Sequence, residues 1–122
     1  MRFITSASKL EAEFTRLIRK HGAFLWATAW AGIGSRAFKE LVAAREKIRR
    51  VVVGLHFYQT HPDFIQVFIK HKHKGVRFIK QTEGTFHPKL YLFLDDDGHW
   101  EMLVGSPNFT QPAFTLNTEA TG

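Results

Sequence analysis

Two stretches of the sequence carry side chains that could work on a phosphate: Phe86-His87-Pro88-Lys89-Leu90-Tyr91-Leu92-Phe93 and Leu103-Val104-Gly105-Ser106-Pro107-Asn108-Phe109-Thr110. Residues two apart on a strand share a face. His87, Lys89 and Tyr91 are therefore predicted to point one way, and Leu90, Leu92 and Leu94 into the opposite layer. Ser106 and Asn108 have the same spacing at the end of a second strand. A hairpin between the two would collect an imidazole, an ammonium, a hydroxyl and an amide at one sheet edge. An imidazole can act as nucleophile or general acid, and an ammonium and an amide can hold phosphate oxygens. A lone His is more often structural; Lys89 and Asn108 beside His87 favour catalysis. Ser106 and Asn108 would also serve as turn and capping residues, and the two roles are compatible.

His-x-Lys, then Gly-Ser-x-Asn after a hairpin, resembles the HKD motif of the phospholipase D superfamily. Asn117-Thr118-Glu119 stands where members carry a glutamate, eleven residues past Asn108, and Phe109-Thr110 is similar to the nuclease branch. One position departs: the family's Asp falls at Leu94, with Asp95 one step later, a shift that only a bulge would correct. The resemblance implies phosphodiester hydrolysis with no metal and no other cofactor, through a phosphohistidine. It also implies two such motifs per site, hence a second copy of this chain across a two-fold axis, a homodimer. His87 would be nucleophile in one subunit and general acid in the other. Lys89 and Asn108 would hold the nonbridging oxygens with help from Ser106, and Glu119 would hold the far nitrogen of His87.

The elements that must position these residues are read from periodicity. Ser8 and Glu11 have capping-box spacing, and Leu10, Phe14, Leu17 and Ile18 recur at helical spacing, predicting a helix over about 8–20 closed by His21-Gly22. Ala23 to Trp30 is short, apolar and aromatic and reads as a buried strand with Trp26 and Trp30 in the core. Ser35 is expected to cap a second helix with Phe38, Leu41, Val42 and Ile48 inward. Val51 to Leu55 is a strand. Thr60 is expected to cap a third helix with Pro62 in its first turn and Phe64, Ile65, Phe68 and Ile69 on its apolar face. Val76 to Ile79 starts another strand. Lys89 to Leu94 and Trp100 to Val104 form a hairpin across Asp95-Asp96-Asp97-Gly98. Helices joining strands imply parallel pairing with right-handed crossovers. The expected class is α/β: a mixed, mainly parallel sheet flanked by helices, with a C-terminal hairpin carrying both motifs.

The 122 residues suffice for one domain, expected over 1–122 and readable as the N-terminal part of a longer restriction- or helicase-type protein. With 44% hydrophobic residues, whole-chain disorder is excluded; with no cysteine, disulfide scaffolds and cysteine zinc sites are excluded. All 17 Lys and Arg lie in positions 1–94, while positions 95–122 hold five acids; the net charge is +6. A basic body attracts polyanions, so nucleic acid, DNA first, is the expected partner. No signal peptide or spanning run is visible, which predicts a cytoplasmic protein with no stable membrane association.

Other candidates read less sharply. His56 and His61 flank a strand-to-helix connection at the expected active edge, and His56 is kept as a substrate-binding candidate. His71-Lys72-His73-Lys74 reads as a basic helix end rather than a metal site, because neighbouring cations repel a cation. Gly32-Ile33-Gly34-Ser35 lacks the Lys-Ser/Thr ending of a phosphate loop. Asp95-Asp96-Asp97 reads as a solvated turn. The leading expectation is a nuclease. The alternatives are a weak or inactive nucleic-acid-binding module of a larger protein, and a lipid phosphodiesterase.

Overall fold

The computed structural model describes residues 2–4, 6–80, 83–105 and 107–110. The order of elements is α1 (Ala7–Lys20), β1 (Ala23–Thr28), α2 (Arg36–Ala43), β2 (Ile48–Gly54), α3 (Pro62–Lys70), β3 (Val76–Ile79), β4 (Lys89–Leu94) and β5 (Trp100–Val104). The five strands form one open sheet in the order β3-β2-β1-β4-β5. β1 pairs parallel with β2 and β2 with β3, as the helical connections require; β4 runs antiparallel to β1, and β5 antiparallel to β4. The class is therefore the mixed α/β sheet that the residue pattern predicts, with its antiparallel half supplied by the hairpin. The hairpin turn is closed by Gly98 N–H to Asp95 O at 3.1 Å, with Gly98 at φ 89°, a left-handed value that glycine takes without strain.

One core holds the layers together. Phe24 and Trp26 of β1, Val51 and Val53 of β2, Tyr91 and Phe93 of β4 and Leu103 of β5 face the same side. They meet Phe14 of α1, Leu41 of α2, and Phe64 and Phe68 of α3. Phe14 is the hub, edge-on to Trp26, Tyr91, Phe93 and Phe109 at ring separations of 4.8–6.3 Å. Burying a ring of this size contributes roughly 1.5–3 kcal/mol. The alternate residues of the hairpin, Leu90, Trp100, Met102 and Val104, are exposed on the other face of the sheet.

Local chemistry differs from expectation at five places. The cap of α1 is Ser6, which accepts from Lys9 N–H, so the helix starts before Ser8; Glu11 instead accepts from Arg36 N–H at the start of α2, 3.2 Å. Ser35 caps α2 as predicted, accepting from Phe38 N–H at 3.0 Å, but Ile48 belongs to β2. Thr60 does not cap α3. It is buried, donates to Gly54 O at 2.7 Å and accepts from Ala31 N–H at 3.2 Å, while His61 Nδ1 takes the capping bond from Asp63 N–H. Ile69 is exposed because α3 turns only Phe64 and Phe68 fully inward. The fifth difference, at Trp30, concerns the site.

Candidate active site

Strands β1, β2 and β3 all end at one edge of the sheet, the edge from which β4 starts. Parallel strands release their chain there, and ligands of open α/β sheets bind at such an edge where the strand order reverses. In this sheet the reversal is at β1, flanked by β2 on one side and β4 on the other.

His87 stands just before β4 and Lys89 is its first residue. The i, i+2 spacing brings them together: Lys89 Nζ lies 2.7 Å from His87 Nδ1 and 3.1 Å from Nε2. An ammonium has only protons to give, so Lys89 sets hydrogen-bond donors and a positive charge beside the imidazole. His87 is exposed and Lys89 half-buried, so the pair is reachable by a large substrate.

Asn108 arrives from the other side. The hairpin register sets Leu90 opposite Val104, and Gly105 N–H donates to Lys89 O at 3.4 Å. Beyond it the chain crosses over β1: Phe109 pairs with Ala31, and Gly32 N–H donates to Phe109 O at 2.8 Å. Asn108 Oδ1 accepts from Trp30 N–H at 3.2 Å, so the amide NH₂ is the half that can donate to a phosphate oxygen. Tyr91 lies beneath. It is fully buried, and its hydroxyl sits 3.0 Å from Thr28 Oγ1 and 2.9 Å from Pro107 O, pinning the peptide that precedes Asn108 to the strand that follows Lys89. Tyr91 does share the face of Lys89, as expected, but as a support inside the core.

Trp30 is the fifth difference from the sequence reading. β1 stops at Thr28, whose hydroxyl donates to Trp30 O at 3.1 Å, so Trp30 emerges at the edge half-buried instead of continuing into the core. Its ring meets His87 edge-on, with centroids 5.3 Å apart, and its Nε1–H donates to His56 O at 2.9 Å. Trp30, a residue the strand pattern had assigned to the interior, thus meets the ring of His87, the amide of Asn108 and the backbone carbonyl of His56, and Lys89 joins them through His87. The signal was present: Gly32 follows within two residues, which shortens the strand. Ser106 and Glu119 lie outside the described residues. Close packing also shapes this edge at Gly54, where a Cβ would fall 2.5 Å from Ala29 O, so only glycine lets β2 leave beside β1.

The acids of the hairpin are elsewhere. Asp95 binds His21 Nδ1 at 2.9 Å and Gly22 N–H at 2.9 Å, and Glu101 binds His21 Nε2 at 2.6 Å. His21, with Arg16 and Lys20 of α1, holds the Glu101 carboxyl at about 2, against an opposing effect of burial. His73 is committed to structure as well: its Nδ1 accepts from Gly75 N–H and its Nε2 donates to Arg45 O. Among the described residues no group of three His, Asp or Glu is placed to hold a metal ion, and no helix is long and apolar enough to cross a membrane.

The model of the family described as "NgoFVII restriction endonuclease N-terminal PLD domain" matches residues 33–121. No curated protein matches the chain. Among solved structures, the phospholipase D family member Nuc from Salmonella typhimurium is similar. It has a TM-score of 0.71 and 19% identity over 98% of this chain and 80% of that one. Polyphosphate kinase from Porphyromonas gingivalis is similar at a TM-score of 0.65 and 14% identity, over 98% of this chain and 22% of that one. The two structures share the fold; the family match covers His87, Lys89 and Asn108, and it bears out the resemblance carried by those residues.

Proposed function

From the premise that the chain belongs to the family of NgoFVII restriction endonuclease N-terminal PLD domains, a nuclease or phosphodiesterase family, we propose that it hydrolyses nucleic-acid phosphodiester bonds. The reaction needs no metal and passes through a phosphohistidine. The observation that carries this reading is the His87–Lys89 pair, set at the carboxyl edge of β1 beside Asn108.

In the first step an unprotonated nitrogen of His87 attacks phosphorus. The P–O bond to the leaving oxygen breaks, and that oxygen takes a proton from a second imidazolium. In the second step that imidazole, now neutral, takes a proton from water, whose oxygen displaces His87 from phosphorus. The products are an alcohol and a phosphate monoester. Lys89 and the Asn108 amide stabilise the charge on the nonbridging oxygens, where donors set in advance are most effective; Ser106 and Glu119 complete the set in this reading. The second imidazole is the His87 of a second copy, so the active form is a homodimer.

DNA is the favoured substrate. The family is named for a restriction endonuclease, and the chain's +6 charge suits a polyanion. The test is cleavage of plasmid and oligonucleotide in EDTA, with sedimentation of the active species. Cleavage that survives EDTA and is lost in His87→Ala is expected. Cleavage abolished by EDTA, retained in His87→Ala, or carried by a strict monomer overturns the mechanism. Salt-sensitive binding without turnover would assign the chain to a binding module.

A further inference from the structure

Phe57 is an anomaly. It sits in the short turn His56–Tyr58 after β2, with its backbone at φ 58°, ψ 18° and its surface 67% exposed. A bulky side chain in the left-handed region is a strained outlier, and such outliers persist where surrounding bonds over-determine them and cluster at ligand sites. Here both ends of the turn are tied. Leu55 N–H donates to Ile79 O at 2.9 Å, and Thr60, buried, is bonded to Gly54 O and Ala31 N–H. Other large exposed apolar residues, such as Leu90, Trp100, Met102 and Val104, occupy ordinary strand positions on the outer face of the sheet.

Its position is as informative as its strain. Phe57 follows β2, and the His87–Lys89 pair stands at the start of β4; β1 lies between them. Two strand spacings amount to about 10 Å, about three nucleotides of a stacked strand at about 3.4 Å each. A chain of contacts spans that gap: Phe57 ring to His56 ring at 6.2 Å, His56 O to Trp30 Nε1 at 2.9 Å, Trp30 ring to His87 ring at 5.3 Å. One strand further out, exposed Lys80 follows β3 at the same edge and is placed to meet a phosphate.

We infer that Phe57 is a stacking platform for an unstacked base of the nucleic-acid strand, within about three nucleotides of the phosphate held at His87. The inference rests on the nuclease reading of this edge and adds the form of the substrate, a locally single-stranded segment. Every base has a face to stack, so the contact selects for strandedness and not for sequence.

The test measures binding of a labelled single-stranded DNA oligonucleotide, and of the same oligonucleotide with abasic sites throughout, to His87→Ala and to His87→Ala with Phe57→Gly. Glycine accepts the left-handed backbone, so the fold is kept. Phe57→Gly is expected to weaken binding of the base-bearing strand about 5- to 100-fold and to leave the abasic strand unchanged. Phe57→Trp is expected to keep the affinity, with its fluorescence quenched on binding. Equal affinities with and without Phe57, or equal losses for both oligonucleotides, overturn the platform while leaving the nuclease reading intact. No binding of either oligonucleotide by any variant overturns both. Base-dependent loss in Phe57→Gly, with no cleavage by the unsubstituted chain in EDTA, overturns only the nuclease reading.

Discussion

Replacing Tyr91 with Phe isolates one hydroxyl. The ring of Tyr91 is wholly buried, edge-on to Phe14 at 4.8 Å and to Trp26 at 5.3 Å. Phenylalanine keeps every one of those apolar contacts and opens no cavity larger than an oxygen. What goes is the one proton of the hydroxyl, which Pro107 O accepts at 2.9 Å, and the oxygen that lies 3.0 Å from Thr28 Oγ1. The two partners suffer unequally. Thr28 Oγ1 still donates to Trp30 O and accepts from Phe109 N–H. Pro107 is buried, and its carbonyl loses its link to β4. Losing one partner of a buried bond costs about 1–3 kcal/mol, less than the stability of about 5–15 kcal/mol usual for a domain. The variant should therefore stay folded in buffer, with a lower urea midpoint and an unchanged m value.

The effect on chemistry should exceed the effect on folding. Pro107 O is one peptide before Asn108, so the lost bond frees the segment that aims the amide at the phosphate. A displacement of about 1 Å in a positioning group can cost about 100-fold in rate. We expect turnover of a phosphodiester substrate in EDTA to fall between tenfold and 100-fold, under conditions where urea titration shows the variant fully folded. Turnover within twofold of the unsubstituted chain would refute the claim that Tyr91 sets the position of Asn108. A stability change below about 0.5 kcal/mol would refute the bond itself.

Trp30→Phe removes the Nε1–H bond to His56 O but keeps a ring edge against His87, whereas Trp30→Leu removes both; turnover is expected to survive in the first and to fall about tenfold or more in the second, with both variants checked for folding by urea titration. Glu101, held at about 2 against its ordinary 4.5, adds stability that is fully present above pH 4.5 and is lost as pH falls toward 2. Its side chain is 36% exposed, so screening reduces that contribution to about 1 kcal/mol; Glu101→Gln should flatten the pH dependence of the urea midpoint across that window.

The hairpin was legible because its signals are local. Alternation sets the faces of β4 and β5, and Asp-Gly sets the turn; both strands occur with the predicted bounds. The His87–Lys89 contact follows from the same i, i+2 rule, and Ser35 caps the helix it precedes. What failed depends on neighbours distant in sequence. Thr60 has the chemistry of a cap, yet the turn after β1 and the end of β2 offer it Ala31 N–H and Gly54 O, two backbone groups that need partners, and it serves those instead. Trp30 continues an apolar pattern, and Gly32, the local sign that the strand is short, does not mark Thr28 as the residue that turns the chain. Phe57 carries no sequence mark of a left-handed backbone, since the residue favoured there is glycine.

The division of charge along the sequence also takes on a spatial meaning. Asp95, Asp96 and Asp97 follow directly on His87 and Lys89 in the chain, and a triple acid beside a phosphate site would repel its substrate. The strand between them decides the matter. From Lys89 to Leu94 is five steps of β4, about 17 Å, so the turn lies at the opposite end of the sheet, beyond the Debye length of about 8 Å at physiological salt. There Asp95 and Glu101 bind His21, and Glu101 also binds Arg16 and Lys20. The acids thus neutralise the basic end of α1 and hold the far end of the hairpin to the helix layer. The near end of the same hairpin presents Lys89 and Asn108. A rigid two-stranded lever, clamped by charge at one end, keeps the chemical groups in register at the other without placing a carboxylate of that turn in the field of the phosphate.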